Sequence, residues 1–162
     1  WLVSLVKVFV LQAVFLWVIS VALQWAQLSA VPDGFTVWDY LGLGVWMVGF
    51  IFEAFADQQL ARFKADSGNK GKVMDQGVWA YSRHPNYFGE SLMWWGIFLI
   101  ALATPVGWWT IISPVVITTV LLKMTGVTLM EKAIVHTRPG YSDYIARTNA
   151  FLPWFPKKGG NQ

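Results

Sequence analysis

Hydrophobic residues dominate four stretches of the chain, and a polar or Gly/Pro-containing turn separates each stretch from the next. Because a transmembrane helix needs about 20 apolar residues, this pattern predicts four spans. The predicted spans are Leu2–Leu28, Val37–Ala56, Tyr87–Ala103 and Trp108–Met124. The remaining residues, Thr125–Gln162, mix charged and apolar side chains, which is typical of an amphipathic segment lying on a membrane. The predicted fold is therefore all-α, a polytopic transmembrane helix bundle with about four spans and an amphipathic C-terminal segment.

The composition agrees with a membrane protein. Of the 162 residues, 56% are hydrophobic and 13% are charged, whereas a soluble domain carries about 25% charged residues. The chain has no cysteine and only two histidines, far apart in sequence, so we predict no metal site. We assign the net charge of +3 to cytoplasmic loops and expect no nucleic-acid partner. The expected partners are the lipid bilayer and a lipophilic small-molecule substrate.

Basic residues concentrate between the second and third predicted spans. This connection holds five of the twelve, namely Arg62, Lys64, Lys70, Lys72 and Arg83. The positive-inside rule places such a loop in the cytoplasm. We see no internal repeat, and we expect a single membrane domain over residues 1–162 whose cofactor loops face the cytoplasm.

A polar motif lies where the third span begins. Pro85 has a fixed φ and no amide donor, so it favours the first turn of a helix and an extended conformation at His84. The start of a helix offers free amide donors to an anion, and Arg83 adds a fork of donors beside it. Asn86 and Glu90 are four residues apart and share a helical face. The motif indicates a polar grip on a cofactor at the membrane interface.

Two further polar clusters lie elsewhere in the chain. Glu53 and Asp57 stack as like charges on one helical face at the predicted end of the second span, which favours a compensating cation, a shared proton or a bound donor. The alternative is that both carboxylates reach water. Glu131, Tyr144 and Arg147 form the third cluster, in the tail. Because polar groups near membrane depth are costly, we expect the three clusters to converge around one cofactor on the cytoplasmic side.

The sequence Ser-Arg-His-Pro-Asn-Tyr-Phe-Gly-Glu at residues 82–90 resembles the signature of membrane reductases related to steroid 5-alpha-reductases and sterol C14-reductases. A shorter form, Arg-His-Pro-x-Tyr, also occurs in isoprenylcysteine carboxyl methyltransferases. The resemblance extends from about Trp38 to Pro156. It implies an NADPH-dependent enzyme that reduces a carbon–carbon double bond conjugated to a carbonyl, as in a steroid- or lipid-like enone, with the cofactor in a cavity open to the cytoplasm.

The resemblance also implies roles for individual residues. Asp57 matches an acidic cofactor contact, while Asn86 and Glu90 match positions of the cofactor grip. Lys64 stands where a relative has Arg, and Glu53 stands where a relative has Asn. Together with the polar clusters, this gives a predicted cofactor-binding set of Glu53, Asp57, Lys64, Tyr81, Arg83, His84, Asn86, Tyr87, Glu90, Glu131, Tyr144 and Arg147.

Two features leave the chemistry open. In the reductases, an acid and a tyrosine that polarise the carbonyl come from helices N-terminal to the matched region, so we assign no catalytic residue and expect the chain to be the C-terminal portion of a larger bundle. Glu131, Tyr144 and Arg147 also resemble the tail of the methyltransferases, which makes an S-adenosylmethionine-dependent methyltransferase the alternative. A third hypothesis is a non-catalytic membrane scaffold that retains the fold.

Overall fold

The computed structural model describes residues 2–125, 131 and 133–157. It confirms the all-α class. The α-helices whose bounds lie within the described residues are α1 (Leu2–Ile19), α2 (Val21–Leu28), α3 (Val37–Ala65), α4 (Pro85–Ala101), α5 (Ile112–Thr119) and α6 (Tyr141–Arg147). Short 3₁₀ turns cover Ser67–Asn69, Gly77–Ala80 and Gly107–Ile111, and a π turn covers Val120–Thr125.

One helix of the described residues, α3, is long and apolar enough to cross a membrane. The pair formed by α1 and α2 would be a second span if the two helices act as one, although they are bent by 47° at the break between them. Ser20 lies at this break, where its Oγ donates to the carbonyl of Trp17 and accepts from Gln24. A serine that bonds back to its own helix in this way bends it. The described residues therefore give one clear candidate span and a bent second one, and the four-span arrangement stays a prediction.

The end of α3 differs from the prediction. The helix continues to Ala65 instead of ending at Ala56, and Arg62 and Lys64 lie in its last turn, where cations interact favourably with the helix dipole. Glu53 and Asp57 consequently lie inside the helix. The helix end predicted at these two residues is wrong, whereas their like-charge spacing on one helical face remains.

The fourth predicted span is also divided differently. We predicted one continuous span from Trp108 to Met124. Instead, a 3₁₀ turn precedes α5, and Pro114 lies in the first turn of α5. The missing amide donor is tolerated there because the first amides of a helix have no partner within it.

The chain divides into two compact units. The first comprises residues 1–47 and 93–118. Within it, α3 and α4 touch at two glycines, because a Cβ on Gly42 would lie 2.6 Å from the carbonyl oxygen of Gly96. Trp25 donates from Nε1 to the carbonyl of Pro105 at 3.2 Å and packs edge-on against Trp109.

The second unit comprises residues 48–92 and 119–162, and it contains every residue of the predicted cofactor-binding set. One small hydrophobic cluster of this unit consists of Ala56, Met74 and Trp79. The indole Nε1 of Trp79 donates to the carbonyl of Ala56 at 3.0 Å, which ties the 3₁₀ turn before α4 to the side of α3. Gln59 of α3 accepts the amide of Val78 at 3.1 Å and strengthens the same attachment.

Candidate cofactor site

The entry into α4 is built by the signature itself. α4 begins at Pro85, which confirms the predicted helix start. Ser82 is fully buried; its Oγ accepts the amide of His84 at 3.2 Å and donates to the carbonyl of Phe151 at 2.8 Å. The serine therefore shapes the turn locally and attaches it to the C-terminal tail.

Arg83 clamps the tail to this turn. Its Nε and Nη2 donate to the two carboxylate oxygens of Glu131 at 2.7 and 3.0 Å. Its Nη1 donates to the carbonyls of Ile145, at 3.2 Å, and Thr148. We expected this guanidinium to hold a phosphate, but the structure directs all three nitrogens to the protein because the side chain is buried under the tail.

His84 and Glu131 complete the clamp. The Nε2 of His84 lies 3.1 Å from Oε1 of Glu131, and the imidazole stacks parallel to the ring of Tyr87 with centroids 5.4 Å apart. Burial by itself would raise the pKa of Glu131, but hydrogen bonds from His84 and Arg83 outweigh it and lower that pKa below its ordinary value. Glu131 is thus held as a carboxylate that joins two residues of the signature.

Tyr144 provides a second attachment. Its hydroxyl donates to the carbonyls of Trp79 and Ser82, and the residue is almost completely buried. Burial raises the pKa of Tyr144 well above the ordinary value for tyrosine, so the phenol stays a neutral donor. Like Arg83, Tyr144 holds the tail against the turn before α4.

A cavity of about 140 Å³ lies between these elements. The members of the predicted set that line it are Lys64, Arg83, His84, Asn86, Tyr87 and Tyr144. The other lining residues are Leu60, Val73, Met74, Trp79, Ile134, Arg138 and Tyr141. One wall is therefore apolar and aromatic, while Lys64 and Arg138 supply positive charge.

Asn86 carries an unmet acceptor at this cavity. Its Nδ2 donates to Oδ1 of Asp57 at 3.1 Å, while its Oδ1 is buried without a hydrogen-bond partner. A carboxylate accepts hydrogen bonds, so Asp57 fixes the orientation of the amide and leaves the Asn86 oxygen unpaired. Because buried polar atoms are nearly always paired, this oxygen indicates where a ligand would donate a hydrogen bond.

Carboxylates gather on the same side of α3 and α4. Glu53 lies close enough to Glu90 and Asp57 for their charges to oppose one another, and Oε2 of Glu53 is a second buried acceptor without a partner. Across the described part of the chain, no group of three such side chains is arranged to hold a metal ion. The electrostatics of this side of the site favour a ligand that presents N–H or O–H donors.

Six members of the predicted set do not line the cavity. Glu53, Asp57 and Glu90 belong to the group of carboxylates, Glu131 belongs to the clamp, and the last two, Tyr81 and Arg147, lie at the surface. The ring of Tyr81 packs on Phe155 at 5.9 Å and is largely exposed. Arg147 forms an ion pair with Asp75 on the surface. Neither residue lines the cavity, so we correct the prediction that Tyr81 and Arg147 belong to the cofactor-binding set.

Sequence reasoning missed Arg138 and Tyr141. The sequence did contain a signal for the tyrosine, because Tyr141, Tyr144 and Thr148 follow the spacing of one helical face, and all three are buried. We instead paired Tyr144 with Arg147, which lies on the exposed side of that helix. Burial raises the pKa of Tyr141 to about 12, because the neighbouring positive charges offset only part of the effect. The hydroxyl of Tyr141 is therefore neutral, like that of Tyr144.

Comparisons with known proteins identify the family of the chain. The family model described as "Protein of unknown function (DUF1295)" matches residues 1–148. A curated relative, the uncharacterized protein C594.04c of Schizosaccharomyces pombe, is 26% identical over 164 residues, a match that covers 89% of this chain and 47% of the relative. The chain thus spans less than half the length of that relative. No solved structure matches the chain.

Proposed function

The chain belongs to the DUF1295 family, which includes steroid 5-alpha-reductase-like proteins, and from this premise we propose that it is an NADPH-dependent membrane reductase. Its substrate would be a steroid- or lipid-like enone whose carbon–carbon double bond is reduced. The four-span bundle, with a cavity open to the cytoplasm, is part of this proposal. One observation carries it: Asn86 lines the cavity, and its Oδ1 is buried without a hydrogen-bond partner.

The carboxamide of a nicotinamide is a suitable partner for that oxygen. It carries an NH₂ group that can donate to Oδ1 of Asn86, whose own NH₂ is occupied by Asp57. A ribose adds hydroxyl donors, which suit the acceptor Oε2 of Glu53. The coenzyme therefore supplies donors on the side of the site where the protein presents acceptors.

The size of the cavity limits what it can enclose. Sites that bury a whole drug-sized ligand measure about 300–1,000 Å³, whereas this cavity measures about 140 Å³. It has room for one small ring. The phosphates of the coenzyme would lie nearer solvent, where Lys64 and Arg138 line the edge and offer positive charge.

Three other residues act by positioning. Arg83, His84 and Tyr144 hold the tail, and the tail contributes Arg138 and Tyr141 to the cavity. When bound, NADPH supplies the hydride. The protein's part is to fix the ring against Asn86 and to keep water from an apolar wall that includes Leu60 and Met74.

One observation favours the alternative, a methyltransferase that uses S-adenosylmethionine. The side of the site formed by Glu53, Asp57 and Glu90 presents acceptors and negative charge. S-adenosylmethionine carries an ammonium and a sulfonium, so it would be attracted there without needing phosphate contacts. The two coenzymes differ most in what they offer to Lys64 and Arg138. NADPH has phosphates that these cations can bind, whereas S-adenosylmethionine has none.

The test is a pair of titrations on the purified protein in detergent. NADPH and S-adenosylmethionine are added separately, and binding is followed through the fluorescence of the eleven tryptophans. We expect NADPH to bind and Asn86→Ala to weaken that binding about tenfold, the effect of one lost hydrogen bond to a buried group. The matched control is Asn69→Ala, which also deletes an amide but one that bonds to Phe63 away from the cavity.

The outcomes separate the hypotheses. Binding of S-adenosylmethionine without NADPH would reverse the ranking, and binding of neither would favour the scaffold. If Asn86→Ala keeps its melting temperature and its full NADPH affinity, Asn86 is not the contact that we infer.

A further inference from the structure

A second, larger depression lies on the surface of the same unit. It is an open groove of about 1,090 Å³ beside α6. Its charged lining residues are Lys70, Lys72, Asp75, Asp143, Arg147 and Lys157. Arg147 and Asp75 pair with each other, so the excess positive charge of the groove lies on the three lysines. We call this surface the basic groove.

An exposed aromatic cluster adjoins the basic groove. It consists of Tyr81, Trp154 and Phe155, whose side chains are 42%, 68% and 73% exposed. The rings of Tyr81 and Phe155 are 5.9 Å apart, and those of Trp154 and Phe155 are 6.4 Å apart. Large aromatic side chains that stay exposed in a cluster mark a surface for an apolar partner.

Backbone hydrogen bonds hold this cluster next to the groove. The amide of Trp154 donates to the carbonyl of Tyr81 at 2.9 Å, and the amide of Lys157 donates to the carbonyl of Arg147 at 2.9 Å. Lys157 follows Trp154 by three residues, so the two are within about 10 Å of each other along the chain. Positive charge and exposed rings thus form one surface with a fixed arrangement.

This arrangement matches the chemistry of an anionic bilayer. Aromatic side chains favour the headgroup level of a membrane, and basic residues next to a spanning helix attract anionic lipids. Lys70 and Lys72 follow soon after α3, the clear candidate span, which ends at Ala65. We propose that the basic groove binds the phosphate of an anionic phospholipid while the aromatic cluster enters the same leaflet.

The proposal is independent of the cofactor. A nucleotide phosphate offers the same charge, and Val73 lines both the groove and the cavity, so a nucleotide is the competing source of phosphate. The aromatic cluster favours the lipid, because a dissolved phosphate gains nothing from exposed rings beside its site.

The experiment measures binding to the purified chain in detergent by thermophoresis. The probes are dioctanoyl phosphatidylglycerol, dioctanoyl phosphatidylcholine, glycerol 1-phosphate and NADPH. We expect the phosphatidylglycerol to bind more tightly than the phosphatidylcholine or glycerol 1-phosphate. A lysine near a membrane contributes about fivefold to anionic-lipid affinity, so Lys70→Gln/Lys72→Gln should weaken phosphatidylglycerol binding at least tenfold.

Two further variants sharpen the test. Lys7→Gln/Lys123→Gln lowers the net charge by the same amount at exposed lysines outside the groove, and we expect its phosphatidylglycerol affinity to stay within twofold of the wild type. Trp154→Ala should weaken binding of phosphatidylglycerol and leave that of glycerol 1-phosphate unchanged. It leaves the groove lysines in place, so it tests the surface even if the lysine variant does not fold.

Three results would overturn the proposal. They are unchanged phosphatidylglycerol affinity in the folded groove variant, glycerol 1-phosphate binding as tightly as the lipid, and loss of NADPH binding in the groove variant as large as its loss of lipid binding. Failure of wild-type NADPH titrations would count against the reductase alone, since the lipid titrations do not depend on it.

Discussion

Replacing Arg83 with methionine removes the clamp between the turn before α4 and the C-terminal tail. Methionine keeps much of the aliphatic volume of arginine but none of its donors. The variant loses two hydrogen bonds to Glu131 and the bonds to the carbonyls of Ile145 and Thr148. Glu131 retains His84 as its partner.

The cost follows from leaving a mostly buried carboxylate without its main partner. Breaking a buried ion pair costs about 3–5 kcal/mol. We expect about 3 kcal/mol, because 14% of the Glu131 side chain remains exposed and can be hydrated. For a chain of this size, each kcal/mol lowers the melting temperature by about 2–4 °C. Arg83→Met should therefore melt about 6–12 °C below the wild type.

The assay is thermal unfolding in one detergent, followed by tryptophan fluorescence, for the wild type, Arg83→Met, Glu131→Gln and the double variant. If the two residues act as a pair, the double variant should melt higher than the sum of the single losses implies, with a coupling of about 1–3 kcal/mol. A loss below 2 °C for Arg83→Met, or strictly additive losses, would refute the clamp.

Two more predictions concern the same attachment. Tyr144→Phe removes the donor to the buried carbonyls of Trp79 and Ser82, which costs about 1–3 kcal/mol and should lower the melting temperature by about 2–12 °C. The same change at the exposed Tyr40 should have no effect, and equal shifts would contradict the role of Tyr144. The second prediction concerns pH, because the pKa of Glu131 in the folded protein is lower than its ordinary value of 4.5. The stability that this carboxylate contributes is therefore complete above pH 4.5 and is lost as the pH falls through the folded pKa. The gap in melting temperature between the wild type and Glu131→Gln should be constant from pH 7 to 5 and shrink below 4.5; a gap at pH 3 as large as the gap at pH 7 would show that this carboxylate is not the source.

Local chemistry made the start of α4 predictable. Pro85 fixes its own φ and restricts His84, so the position of the helix start needs no information from distant residues. The end of α3 was harder, because Arg62 and Lys64 make its last turns look like a loop by hydropathy. Helix formation does not require apolar residues, and this helix continues to Ala65.

The roles of individual site residues depended on contacts that no local pattern reveals. Arg83 and Glu131 are 48 residues apart in sequence, and only the folded chain shows that each satisfies the other. Asn86 and Asp57 were both predicted, but the hydrogen bond that leaves one amide oxygen unpaired is a tertiary feature. The sequence predicted which residue types meet in this unit, while their division into clamp and cavity required the structure.

The distance between Asn86 and Asp57 depends on the absence of a side chain at Gly89. A Cβ on Gly89 would lie 2.6 Å from the carbonyl oxygen of Gly49, whereas carbon and oxygen normally come no closer than about 3.3 Å. Any larger residue would push α4 away from α3 by roughly 0.7 Å, and the 3.1 Å bond from Asn86 would pass the distance at which it still orients the amide. The direct contact between the backbones of α3 and α4 therefore sets the distance between the Asn86 amide and Asp57.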